Sequence, residues 1–167
     1  MRVFKATYCI ALLCLPFFLF AQINTIKFEH YASNEGLSYD NVKCIQQDTL
    51  GFLWVGTLNG LNRYDGIQFI QYSHDPQDST SLSNDNITKL YEDRKGNLWV
   101  GTVKGLNLFN REKDQFKRFT FQTKEGINAS QNYIQDILED TRGNLWMLLR
   151  KGPFYFVQKK VVLKAFM

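Results

Sequence analysis

From residue 41 onward the apolar residues come in short runs separated by turns rich in Gly, Asp and Asn, and the runs fall into sets of four. The segment 41–47 carries apolar side chains on both pleat faces and predicts a doubly buried inner strand, although Val42 and Ile45 also fit a helical period. Asp48 and Gly51 then mark a turn, with Gly at the position that tolerates positive φ. Residues 52–57 are rich in β-forming side chains, a Gly-containing turn follows at 58–60, and 61–64 predicts another strand. Asp65 and Gly66 turn the chain into a fourth strand over 68–72.

The set is then repeated. The three tryptophans stand at 54, 99 and 146, spacings of 45 and 47, and the residues around them recur. Asp48, Gly51, Leu53, Trp54, Val55, Gly56 and Thr57 are matched by Asp93, Gly96, Leu98, Trp99, Val100, Gly101 and Thr102. Asp140, Gly143, Leu145, Trp146 and Met147 follow in the same order, but Leu148 and Leu149 replace the Gly-Thr pair. Downstream, Gly60, Leu61 and Asn62 correspond to Gly105, Leu106 and Asn107, and then to Gly152, Pro153 and Phe154. A period of about 45 residues containing four strands is that of a β-propeller blade. The outermost strand of each unit carries two large apolar residues three apart: Phe69 and Tyr72, Phe116 and Phe119, Leu163 and Phe166. The same mark at Phe28 and Tyr31 predicts an orphan strand over 26–32, ahead of blades at about 38–73, 83–121 and 130–167.

The expected fold is therefore all-β: a partial, open β-propeller of about three four-stranded blades plus an N-terminal orphan strand. Propellers use about 4–8 blades, and each flank of a three-blade array presents apolar surface that seeks a neighbour. The expected partners are further blades or a second chain, and the sequence reads as the front part of something longer or as a truncated gene product.

The first segment has a different character. Arg2 and Lys5 precede an apolar stretch from Ala6 to Phe20, and Ala21 and a polar run follow. That order predicts a signal peptide over 1–21 with cleavage after Ala21, an uncleaved anchor being the alternative. The stretch is shorter than the roughly 20 residues a membrane-spanning helix needs, and Pro16 interrupts it. The mature chain, 22–167, is expected to be exported. Cys44 is then its only cysteine, so packing and not a disulfide must hold it together.

Among the 167 residues, 15% are aromatic and 22% charged, a composition that can bury a core. The net charge is +4, falling to +2 without Arg2 and Lys5, and the remaining charges are interspersed, which gives nucleic acid no electrostatic support as a partner.

The segment Gly96 to Thr102, followed by Gly105, Leu106 and Asn107, resembles the two-component regulator propeller repeat. Phe28 to Tyr31 with Asn34 to Ser38 is similar to the start of the periplasmic sensor region in hybrid two-component sensors of Bacteroidetes-type bacteria. In full-length relatives the resemblance implies two propellers, a β-sandwich, a membrane helix, a histidine kinase and usually a receiver with a DNA-binding domain. It also implies sensing of oligosaccharide breakdown products on the periplasmic side of the inner membrane. This chain would then be a sensor fragment without kinase activity, reaching a membrane only through a missing C-terminal part. The rival readings are a fragment of an exported propeller lyase or hydrolase, and a non-functional gene product.

No catalytic, cofactor or metal site is expected. His30 and His74 lack a phosphoacceptor setting, and Cys44 with these histidines lacks metal-ligand spacing. Asp48, Asp93 and Asp140 are read as turn residues bonding their own backbone and not as calcium ligands. The tryptophans are read as inter-blade core and not as sugar platforms. For a ligand face, the resemblance points to the loops between second and third strands, at Asn59, Lys104 and Lys151, and to the polar runs 73–83 and 120–130 that lead into new blades.

Overall fold

The computed structural model describes residues 26–119, 132–150, 155–157 and 163–165. The chain divides into two units, 1–30 and 31–167. Of the first, the described residues 26–30 form neither helix nor strand, and Ile26 and Phe28 are exposed.

The second unit contains three four-stranded antiparallel sheets. The first is β1 (Val42–Gln47), β2 (Leu53–Thr57), β3 (Gly60–Tyr64) and β4 (Phe69–Tyr72). The second is β5 (Ile87–Glu92), β6 (Leu98–Thr102), β7 (Gly105–Asn110) and β8 (Gln115–Phe119). The third is β9 (Ile134–Glu139), β10 (Leu145–Leu149), β11 (Tyr155–Val157) and β12 (Leu163–Ala165). Each sheet is a simple meander in chain order, and the fold is a partial β-propeller as the repeats predict. The helical alternative for 41–47 is excluded, because Ile45 pairs with Val55 and Gln46 with Trp54.

The orphan strand expected over 26–32 is not a strand. The outer edge of β4 is open, but Tyr31 meets the first blade through its ring and not through a backbone ladder. Instead, Ser33–Glu35 form a short 3-10 turn closed by Gly36 at φ 104°. Tyr31 packs its ring 5.3 Å from Tyr64 and 5.8 Å from Phe69, and its hydroxyl lies 3.1 Å from that of Tyr64. The apolar mark at Tyr31 thus reflects an aromatic cluster on the outer edge of the first blade.

Burial between sheets holds the array together. Trp54 and Leu61 of the first blade enclose Ile87, Leu90, Leu98 and Val100 of the second. Trp99 and Leu106 of the second enclose Ile134, Ile137, Leu145 and Met147 of the third. Each inner strand carries a register shift near its start, at Val42/Cys44 and Ile87/Lys89, and β10 shifts opposite the same place in β9. Such irregularities sharpen the local twist and let successive sheets splay around an axis.

Candidate functional site

The two ends of the array are built differently. At one end lie the β1–β2, β5–β6 and β9–β10 turns. Asp48 Oδ1 accepts from the Leu50 and Phe52 backbone N–H groups, and its Oδ2 accepts from Trp54 Nε1 at 2.8 Å. Asp93 and Asp140 repeat this arrangement, with the indoles of Trp99 and Trp146 at 2.9 and 3.1 Å. The turn closes on Gly51, Gly96 and Gly143, all at positive φ (91°, 77° and 79°), where a side chain would be strained. The three aspartates are therefore turn residues, as expected, and also anchors for the tryptophan six residues on. That second role was legible in the constant Asp-to-Trp spacing.

Burial works to raise the Asp48 carboxyl, but hydrogen bonds from Trp54 and Arg111, with the Arg111 charge, hold it below the usual carboxylate range. Asp93 is lowered likewise, its burial outweighed by bonds from Trp99 and Asn97. Asp140 lies well below, chiefly through the Asn144 side-chain and backbone donors.

Neighbouring blades are also tied at this end. Thr49 donates its backbone N–H and its hydroxyl to Glu92 at 2.8 and 2.9 Å. One blade later, the Arg94 backbone N–H donates to Glu139 at 2.9 Å, so the tie repeats between equivalent positions. Arg111 reaches across to Asp48 and Glu92 at 2.7 and 3.2 Å. Sequence reasoning missed Glu92, Glu139 and Arg111; the only trace of the first two is an acid immediately before the turn aspartate.

The opposite end carries the β2–β3 and β6–β7 turns and the loops leading into each blade. Leu58 donates its N–H to the Asn41 carbonyl, Val103 to Asn86 and Arg150 to Tyr133, at 3.1–3.2 Å, one equivalent bond per blade. Gly60 N–H donates to the Asp85 carbonyl at 2.8 Å, fastening the first β2–β3 turn to the loop entering the second blade.

Beneath these turns sits a repeated polar network. Ser83 N–H donates to Asn107 Oδ1 at 2.9 Å, and Asn107 Nδ2 donates to Ser83 Oγ and the Val100 carbonyl, both at 3.0 Å. Thr102 Oγ1 donates to the Gly105 carbonyl, which leaves Ser83 to donate its hydroxyl to Thr102 at 2.8 Å. Ser38, Thr57 and Asn62 form the same network in the first blade. Leu149 stands where the third blade would need the threonine.

This framework presents Asn59 and Lys104 on one end of the array, both exposed, their backbone N–H groups held by Thr57 and Thr102. Lys151 and the run 120–130 lie outside the described residues. Near the same end are half-exposed Tyr39 and the Arg150 guanidinium, stacked 5.2 Å from the centre of the Tyr133 ring. The run 73–83 is organised internally. Arg118 donates to the carbonyls of Asp75, Asp78 and Ser81, and His74 Nδ1 lies 2.6 Å from the Leu82 carbonyl. Trp54 and Trp99 are buried at 0% and 8% exposure, as expected for inter-blade core. Among the described residues there is no group of three or more His, Cys, Asp or Glu side chains able to hold a metal.

The two-component regulator propeller family matches residues 36–59, 81–104 and 128–149, each span running through the Asp-turn and its tryptophan. Three stretches of the chain thus match the two-component regulator propeller repeat. Histidine kinase P4 of Formosa agariphila is 46% identical over 61 residues, a match covering 36% of this chain and 4% of that protein. The propeller array is also similar to the extracellular domain of a hybrid two-component system from B. thetaiotaomicron, with a TM-score of 0.71 and 26% identity. That likeness covers 83% of this chain and 20% of the solved one. Virginiamycin B lyase from Staphylococcus aureus shares the fold alone, at a TM-score of 0.57 and 12% identity over 75% of this chain and 41% of the lyase. These propeller repeats thus resemble extracellular sensor regions of two-component systems and span a small fraction of them.

Proposed function

We propose that the chain is an exported, non-catalytic part of a periplasmic ligand sensor, and that its ligand is an oligosaccharide held at the end carrying Asn59 and Lys104. One observation supports the choice of end. At the Asp-turn end the carboxylates of Glu92 and Glu139 and the guanidinium groups of Arg94 and Arg111 are taken up in ties to neighbouring turns. The opposite end satisfies its backbone internally and leaves Asn59, Lys104 and Tyr39 exposed on a fixed frame. Amide and ammonium donors at the same end as a phenol ring suit sugar hydroxyls and the apolar face of a pyranose. The sensor likeness of the repeats supports signalling, not turnover, as the consequence of binding.

The test is calorimetric titration of the chain, expressed with its own N-terminal segment and recovered from the periplasm, against neutral and acidic oligosaccharides released from polysaccharides. Binding weakened about tenfold by Asn59→Ala or Lys104→Ala is the expected result, equivalent to the loss of one good polar contact. Binding that neither substitution alters would overturn the assignment of the end. Conversion of the oligosaccharide during titration would favour the lyase or hydrolase reading.

A further inference from the structure

The contacts between blades follow a knob-and-socket rule. A β-carbon added to Gly56 would lie 2.5 Å from Ile87 Cγ2, and one added to Gly101 would lie 2.7 Å from Ile134 Cγ2. Each glycine is thus a socket, and the first apolar residue of the next blade's inner strand is its knob. Both knobs sit beside the register irregularity of their inner strand, and both are 0% exposed.

Among the described residues, the first blade has the knob and no socket over it. Val42 occupies the position of Ile87 and Ile134 but is 41% exposed. Ile45 occupies that of Leu90 and Ile137, which are 3% and 4% exposed, yet is itself 60% exposed. Gln47 stands where Glu92 and Glu139 accept a backbone N–H from the preceding blade's turn. This flank therefore continues the geometry of the two blade interfaces already present.

The third blade does not supply the complement. Leu148 pairs with Asp136 as Gly101 pairs with Lys89 and Gly56 with Cys44, so it holds the socket position. Strand alternation puts it on the same face as Trp146, the face that encloses the next blade in the first two units. Where a single β-carbon would already collide, an isobutyl group fills the socket.

We propose that the Val42–Ile45 flank docks a propeller-repeat blade with glycine at the Gly56 position, and that Leu148 bars a second copy of this chain from providing it. The fitting partner also offers a turn N–H to the Gln47 side-chain oxygen. Head-to-tail stacking of copies, which a repeat with identical flanks would invite as an open filament, is thereby blocked. This inference is independent of the ligand reading.

The experiment compares self-association of the chain with that of Leu148→Gly by sedimentation velocity, with circular dichroism to verify folding. Leu148→Gly opens the socket and is expected to associate at least about tenfold more tightly than the unaltered chain. Adding Val42→Asp should abolish the gain. Should Leu148→Gly not fold, Val42→Gly decides the matter, since it removes the knob and lets Leu148 seat over the glycine, with the same gain expected. A folded variant that associates no more tightly than the unaltered chain overturns the proposal. So does a gain that survives Val42→Asp.

Discussion

Arg111 of the second blade places Nη1 2.7 Å from Asp48 Oδ2 of the first, on the same oxygen that accepts the Trp54 indole N–H. One carboxylate thereby joins a turn, a core tryptophan and the neighbouring sheet. The Asp48 side chain is fully enclosed and Arg111 is a quarter exposed, so the pair is screened on one side only. Arg111→Ala leaves Asp48 and Glu92 without their cation. A loss of about 1–3 kcal/mol of stability is expected, the usual cost of orphaning a buried charged acceptor. Arg111→Lys should recover only part of it, because a single ammonium does not reproduce the two-pronged contact. Thermal melts of the three proteins check this.

Acid should unfold the array through its turn aspartates. Asp48, Asp93 and Asp140 all titrate below their ordinary value of 3.8 in the folded chain. A carboxyl lowered by folding contributes stability that is fully present above its unfolded value and lost as pH falls through the folded one. Melting temperature is therefore expected to be insensitive to these groups above about pH 5 and to drop below about pH 4. Asp48→Asn should flatten that acid limb. Tryptophan fluorescence reads the transition directly, since each carboxylate holds an indole.

Asn107 is wholly buried, with its side chain bonded to the Ser83 N–H, the Ser83 hydroxyl and the Val100 carbonyl. Asn107→Leu supplies similar bulk but strands these groups. A cost of about 2–3 kcal/mol is expected, measured by urea denaturation. Equal stability of the two proteins would refute a structural role for the network.

Cys44 should be nearly inert in the folded chain. Burial pushes its thiol up to about 11, against the opposing charge of Lys89. At pH 8 roughly one thiol in a thousand is then ionised, and the thiolate is the reactive form. Labelling by a thiol reagent should track unfolding in denaturant and remain slow without it. Rapid labelling of the native protein would contradict the packing of Cys44 against the second blade.

The amino-acid sequence alone determined the repeat, the four-strand unit and its antiparallel order, because period-two patterning, turn residues and recurring tryptophans are local properties visible at fixed spacing. It also marked the β2–β3 turn residues Asn59 and Lys104 as equivalent positions. What only tertiary structure decided are relationships between repeats. Glycine at 56 and 101 reads locally as a weak strand residue, and its purpose emerges only when Ile87 and Ile134 arrive from the next sheet. The Glu92 and Arg111 ties bring together residues distant along the chain. The supposed strand at 26–32 failed for a related reason: an apolar spacing marks residues that pack, and Tyr31 packs by its ring against Tyr64 and Phe69 instead of by a backbone ladder. Contact across sheets depends on which side chains share a space, and no local pattern encodes that.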